Sequence, residues 1–363
     1  MKRIFKNLVP VLLFLLVGLV LYFIPTDSVL PSGFGTVMRG EVTEIDDSAI
    51  QRQGLILFGT QHLTVRLSDG RLFPAENELR GQPELDKHFE AGDAVLVNAP
   101  REGESVLLAR DHWRLGWAGI IFALFCLLLC LFGGRVGVKS LMTFVLSCLI
   151  VWKILIPLTL KGYTASLVSF CSVAILTALI MYFVAGWTRH ALAAFAGSML
   201  GVLTSFIGAL FAARLLHVDG VTMPFAPQLL YTAYPGLSLG DIFVGTVILS
   251  CSGALMDLSM DIAVGVKEVK LHNASLGFGA LLRSGLRIGR AVTGTMTTTL
   301  LLAYSGGYLT LLMVFAAEGV SPFIFLNSTY MSAELVKTLI GSLGLVLVAP
   351  FTALTAAWIF RRK

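Results

Sequence analysis

The sequence predicts an α-helical polytopic membrane protein of about eight transmembrane helices, carrying a small extracytoplasmic insert that is β-barrel-like and OB-like. Three observations point there. Of the 363 residues, 56% are hydrophobic and only 13% are charged, where a soluble domain carries about 25% charged residues. Apolar runs of spanning length recur along the chain. One polar stretch, residues 35–110, interrupts them and alternates like a set of short strands.

A bilayer span needs roughly 20 mostly apolar residues. Eight segments meet that requirement, at about 8–24, 115–133, 139–160, 163–187, 191–213, 241–264, 294–316 and 338–360. The first follows a positive start (Lys2, Arg3, Lys6) and ends at Phe23-Ile24-Pro25-Thr26 without a small-x-small cleavage site. An uncleaved membrane anchor over residues 1–34 is therefore expected rather than a signal peptide.

Lys and Arg in short loops set the orientation. With the N-terminus inside, Lys2, Arg3, Lys6, Arg135, Lys139, Arg189, Lys267, Lys270, Arg283, Arg287, Arg290, Arg361, Arg362 and Lys363 all fall on the cytoplasmic side. Only Lys161, Arg214 and Lys337 fall opposite in short loops. The expectation is a cell-membrane protein with both termini cytoplasmic and residues 35–112 extracytoplasmic. The net charge of +5 follows from that bias and not from nucleic-acid binding. Cys126, Cys130, Cys148, Cys171 and Cys251 all lie in expected spans, where they read as small packing residues.

The insert, residues 35–112, shows its strands in Gly35-Thr-Val-Met-Arg-Gly-Glu-Val-Thr-Glu-Ile45, His62-Leu-Thr-Val-Arg-Leu67, Ala94-Val-Leu-Val97 and Val106-Leu-Leu-Ala109. Ser68-Asp69-Gly70 and Ala91-Gly92-Asp93 mark turns where φ becomes positive. Five or so such strands suggest a small barrel. Its charges are of mixed sign and its aromatics few, which argues against an oligonucleotide surface.

The core, residues 113–363, holds the residues that point to chemistry. Gly253-Ala-Leu-Met-Asp257-Leu-Ser-Met-Asp261 places two carboxylates one turn apart in an apolar stretch. An ionised Asp at bilayer depth costs on the order of 2.5–3.5 kcal/mol, so such residues usually face a protein interior and mark function. Reading back from Asp261 gives Asp257, Gly253, Ser250 and Thr246 on one face. That stripe suits either a pathway or a tight helix contact. Asp257 is the candidate carboxylate for a cation or proton; an ion pair with Arg287 or Arg290 is the structural alternative.

The cytoplasmic stretch 265–293 carries Arg283, Arg287 and Arg290 on one helical face and is expected to lie on the inner membrane surface. Beyond it, Thr293, Thr295, Thr297, Thr298 and Thr299 are expected to open the next span, where hydroxyls can donate to a carboxylate, ligate a hard cation, or cap and pack. Glu334 and Lys337 open the last span as either an outer polar contact or a simple i,i+3 pair. Gly197, Gly201, Ser205 and Gly208 form a small-residue face that reads as helix packing. Residues 217–240, rich in Pro, Gly and aromatics, fit a re-entrant cap or an ordinary loop equally.

Enzyme signatures are missing from the sequence. The six histidines are scattered, and there is no phosphate-binding loop, nucleophile elbow or His-Glu-x-x-His. No catalytic residue, cofactor or metal is expected.

Several blocks resemble the YibE/F-like family of bacterial multi-pass membrane proteins. They are Gly253-Ala-Leu-Met-Asp257-Leu-Ser-Met-Asp-Ile262, Ser284-Gly-Leu-Arg287-Ile-Gly-Arg290, Thr293-Gly-Thr295-Met-Thr297-Thr-Thr-Leu300, Leu302-Ala-Tyr-Ser-Gly306-Gly307, Ser332-Ala-Glu334-Leu-Val-Lys337-Thr-Leu-Ile-Gly341-Ser-Leu-Gly344 and Ala349-Pro350. The strand-rich insert followed by Asp111-His-Trp-Arg114 is similar to the family's layout. The resemblance implies an N-terminal anchor, a small outer domain and a helical core, and carries no activity with it. The chain departs at position 337, where Lys stands and Arg was equally expected; Lys offers a point charge rather than a bidentate fork.

Two functions fit these residues. One is a permease or transporter driven by an ion or proton, with a polar interior around Thr246, Ser250, Asp257, Asp261, Arg287, Arg290, Thr293, Thr295, Thr297 and Glu334. The other is a non-catalytic membrane scaffold or assembly protein whose outer β domain binds an envelope partner. The expected partners are the lipid bilayer, a coupling ion or proton and another membrane protein, with no nucleic acid.

Overall fold

A computed structural model gives the structure of residues 2–23, 37–98, 106–231, 234 and 236–361. The end of the anchor at Pro25-Thr26, the start of the insert at Gly35, part of the 231–236 loop and the basic Arg362 and Lys363 lie outside the described residues. The chain forms two compact units. One is Leu30–Leu131, and the other joins Met1–Val29 to Phe132–Lys363.

The first unit is the barrel. After helix α1 (Lys2–Phe23), which belongs to the other unit, come β1 (Val37–Asp46), β2 (Ile50–Gln53), β3 (Ile56–Leu67), β4 (Leu72–Arg80), β5 (Ala94–Asn98) and β6 (Leu107–His112). β1 pairs with both β3 and β5, β3 with β4, and β5 with β6, all antiparallel. β4 and β6 run parallel and close the ring of five, while β2 extends β3 as a hairpin. This is the OB-like arrangement that the strand pattern predicts.

Alternation decides which side faces in. Leu63, Val65 and Leu67 of β3 and Val95 and Val97 of β5 are buried, together with Phe89 from the 81–93 loop. Both predicted turns form, with Gly70 at φ 85° and Gly92 at φ 95°, the left-handed region that glycine enters without a Cβ clash. Two interior side chains are polar, Gln61 and Asn77. Gln61 is fully buried; its Nε2 donates to Phe89 O (2.8 Å) and Asp47 Oδ1 (2.9 Å). Its Oε1 accepts from Phe89 N and Asn77 Nδ2, each at 3.1 Å. Asn77 also donates to Lys87 O. The loop is thereby held to β3 and β4 through a fully satisfied buried network.

The helical elements continue with α2 (Leu115–Ile150), a π turn (Val151–Leu155) and α3 (Ile156–Leu160), then α4 (Ala165–Ala185), α5 (Arg189–Leu215) and the one-turn α6 (Ala226–Leu230). They end with α7 (Leu239–His272), α8 (Phe278–Gly307), α9 (Leu309–Ala317), α10 (Pro322–Leu326) and α11 (Thr329–Phe360). Among the described residues five helices are long and apolar enough to cross a membrane, or six if the bent pair α8–α9 is one span. The chain is accordingly membrane-embedded.

One expectation is borne out and one needs correction. The segments 115–133 and 139–160 are two helices that meet at a kink, where Gly134 takes non-helical angles (φ 51°, ψ −125°), within the continuous stretch Leu115–Leu160. The basic stretch 278–290 is no separate surface helix, because α8 runs unbroken from Phe278 to Gly307 and bends by 60° only where α9 begins. Glycine is the reason α8 packs into the bundle there. A Cβ at Gly289 would stand 2.9 Å from Ala349 Cβ and 3.2 Å from Ile262. One at Gly285 would stand 2.8 Å from Ala353 Cβ and 3.0 Å from Val266. Without side chains at 285 and 289, α8 sinks into the groove between α7 and α11.

The predicted small-residue face on α5 performs the same job against α11. A Cβ at Gly197 would be 2.6 Å from the Thr352 Cα, and Ser205 Oγ fills the space that a side chain at Gly344 would need. The helices α5, α7, α8 and α11 thus share one apolar core, with α7 the most buried of them.

Candidate functional site

The structure separates the predicted polar residues into three places. The first is a cavity of about 670 Å3 between the 223–229 segment and the facing parts of α7, α8 and α11. Thr246 and Ser250 of α7, Tyr304 of α8 and Lys337 of α11 turn toward it, and Met223, Phe225, Leu229 and Ile242 supply apolar wall. Phe225 itself sits in the left-handed region, at φ 61°, an outlier for a bulky side chain.

Helix starts place these groups at depth. Ser238 caps α7, its Oγ accepting from Asp241 N, and Ser328 caps α11, its Oγ accepting from Met331 N. At 1.5 Å per residue, Ser250 lies about 16 Å and Lys337 about 12 Å along their helices. Lys337 Nζ donates to Glu334 Oε1 at 2.7 Å and lies 5.9 Å from the Phe243 ring centre. Both charged side chains are largely covered, at 21% and 22% exposed. The single-oxygen contact is what a lysine point charge makes. Tyr304 Oη donates to Ser250 Oγ at 3.3 Å. Thr246 and Ser250 spend their own hydrogens on Phe243 O (2.7 Å) and Val247 O (3.0 Å), so toward the cavity they present lone pairs.

The second place is the exposed face of α7. Gly253, Asp257 and Asp261 lie on it in line with Thr246 and Ser250, while most other positions of the same helix are buried. The predicted stripe is therefore real, and it faces away from the helix core rather than into it. Asp257 and Asp261 have no hydrogen bond or ion pair among the described residues.

The third place is a cleft of about 390 Å3 between α8 and α11, where Arg290 and Thr293 meet Val346, Ala349 and Pro350. Pro350 has no N–H to give the carbonyl of Val346, which leaves that wall of the cleft one donor short. Arg287 is exposed. The ion pair considered between Asp257 and Arg287 or Arg290 does not form. Ile262 packs against Gly289, and Arg290 turns to the α11 side of α8 while Asp261 stays on the free face of α7.

The threonine cluster also differs from expectation. It sits in the middle of α8 rather than at a helix start, so it caps nothing. Its hydroxyls donate to their own helix: Thr293 to Gly289 O (2.7 Å), Thr295 to Val292 O (2.9 Å) and Thr297 to Thr293 O (2.8 Å). None donates to a carboxylate.

Sequence reasoning singled out Thr246, Ser250, Glu334 and Lys337 and noted the 217–240 segment as a cap or loop, but missed Tyr304 and the part that Met223–Leu229 plays as a cavity wall. Tyr304 stood inside a quoted family block, Leu302-Ala-Tyr304-Ser-Gly306-Gly307, and was the available signal. Among the described residues no group of three or more His, Cys, Asp or Glu side chains is placed to hold a metal ion.

The description "YibE/F-like protein" matches residues 121–362, two thirds of the chain. The chain belongs to the YibE/F-like family. The matched region holds the cavity, the Asp257–Asp261 face and the α8–α11 cleft, and it begins after the barrel. No curated protein and no solved structure matches the chain.

Proposed function

We propose that this YibE/F-like protein is a permease of the cell membrane, coupled to an ion or proton, whose solute occupies the cavity between the 223–229 segment, α7, α8 and α11. In this reading both termini are cytoplasmic and the barrel is extracytoplasmic, as the distribution of Lys and Arg supports. One observation carries it: Lys337, paired with Glu334 behind it, and the hydroxyls of Ser250 and Tyr304 border an open cavity well inside membrane-length helices. Convergent polar groups in a mostly apolar concavity are the usual form of a small-molecule site, and charges at that depth are costly unless they serve one. From the cavity, the α7 face continues through Gly253 to Asp257 and Asp261, a line of groups along which a cation or proton can move.

The test is accessibility. With the five native cysteines replaced, Ser250→Cys and Asp257→Cys are exposed to membrane-impermeant thiol reagents from each side. Labelling at both positions in a folded protein is the expected result, because a transport path must be wet. Protection of both from both sides would end the permease reading.

A second reading has one observation in its favour. The barrel is a compact unit of its own outside the family match, as a scaffold or assembly protein that binds an envelope partner would need. A sealed Asp257 would favour it.

A further inference from the structure

We infer that the cavity takes a small amphipathic anion, with its acidic head on the Lys337 ammonium and its apolar body against Met223, Phe225 and Leu229. This deepens the permease reading and rests on it for the meaning of the site, though not for the chemistry of binding.

The donors and acceptors on the cavity wall lead to this class. A lysine ammonium carries three N–H donors and no acceptor. Glu334 takes one of them, at 2.7 Å, and among the described residues Nζ makes no second hydrogen bond. Glu334 itself is not part of the cavity wall, so the sign presented to the cavity is positive. At this depth a half-satisfied ammonium is costly, and a bound anion accepting two charge-assisted hydrogen bonds removes that cost.

Tyr304 stands close by. Gly341 is one turn along α11 from Lys337, and a Cβ there would lie 3.3 Å from Tyr304 Oη. The tyrosine hydroxyl now donates to Ser250 and can turn that hydrogen to an acidic head. Thr246 and Ser250 have no free hydrogen to give an anion, so Lys337 and Tyr304, with the Gln228 amide also on the wall, are the donors. A cation would meet the ammonium directly and gain nothing. Apart from the Gln228 amide the rest of the wall is apolar, so most of the remainder of the ligand is too. Such a molecule can be a free organic acid or an anionic lipid, and the shared chemistry is the acidic head on an apolar body.

The experiment is calorimetric titration of the full-length protein in nanodiscs of neutral phosphatidylcholine with octanoate, octylammonium and octanol. Octanoate should bind and the other two should not. Shortening the acid should weaken binding by about fourfold per methylene removed. Lys337→Gln should weaken octanoate by about tenfold or more, since a charged hydrogen bond is lost, and Lys337→Arg should restore most of that loss. Tyr304→Phe guards against a Lys337→Gln protein that does not fold, and should cost severalfold while leaving the folded yield intact.

Equal binding of octylammonium, or octanoate binding indifferent to both Lys337→Gln and Tyr304→Phe, would overturn the inference. Adding phosphatidylglycerol to the nanodiscs separates the sources: unchanged octanoate affinity assigns a free acid, and competitive loss assigns an anionic lipid. Octanoate binding without uptake in proteoliposomes would sink the permease reading alone. Uptake of other solutes with no octanoate binding would sink only the ligand class.

Discussion

Inside the barrel, every hydrogen-bonding position of the Gln61 amide is occupied, and its partners reach from β4 to the 81–93 loop. In the helical unit, Lys337 keeps two donors without a partner among the described residues, and Asp257 and Asp261 have no hydrogen bond or ion pair among them. Both regions place polar groups where water is scarce, yet one closes its network and the other leaves it open. Closed networks hold a structure in one form, and unpaired groups cost free energy. An open set of polar groups beside a cavity is therefore the better place to look for function, and the barrel's network is the better place to look for stability.

The strongest way to break this contrast is Gln61→Leu. It leaves Phe89 N–H, Phe89 C=O and Asn77 short of partners, and at about 1–3 kcal/mol for each orphaned group the barrel should lose about 3 kcal/mol or more. Hydrogen exchange at residues 85–91 should speed up sharply, while α7 and α11 keep their protection; unchanged exchange at Phe89 would mean the network holds nothing.

Gly197→Val is the next largest effect and probes closure in the helical unit by packing instead of polarity. Its Cβ would meet the Thr352 backbone at 2.6 Å, a neighbour that cannot rotate away, so a cost of about 1–3 kcal/mol is expected. The melting temperature in detergent should fall, and Gly253→Val, with open space around it, should leave it unchanged.

The smallest effect on stability is the most informative about function. Asp257→Asn removes an exposed, unpaired carboxylate, so folding should change by no more than about 0.5 kcal/mol. Uptake in proteoliposomes should nevertheless be lost. A variant that instead fails to fold would place Asp257 with the closed groups and not the open ones.

Much of this was legible in the chain itself. Period-two alternation and the Asp69-Gly70 and Gly92-Asp93 turns announced the strands, because a side-chain period and a positive φ are local properties. Gly197, Gly201 and Ser205 announced a helix contact for the same reason, since only small residues let backbones approach. The stripe Thr246–Asp261 was visible as a helical face, but its direction was not. Periodicity says which residues share a face and nothing about which neighbour, if any, that face meets. The threonine cluster misled for a related reason: the glycine pair Gly285 and Gly289 carries α8 through the basic stretch without a break, so Thr293 begins no helix.

By itself the sequence determined the membrane character, the family, the barrel's strands and the seams where small residues permit close packing. All of these follow from composition and from spacings within a few residues. Only the tertiary structure decided that Tyr304 and Lys337 meet at one cavity, that Arg290 turns to α11, and that Asp257 faces outward. Those are relations between helices distant in sequence, fixed by which glycines let which backbones approach and by the side of each helix that the approach leaves free.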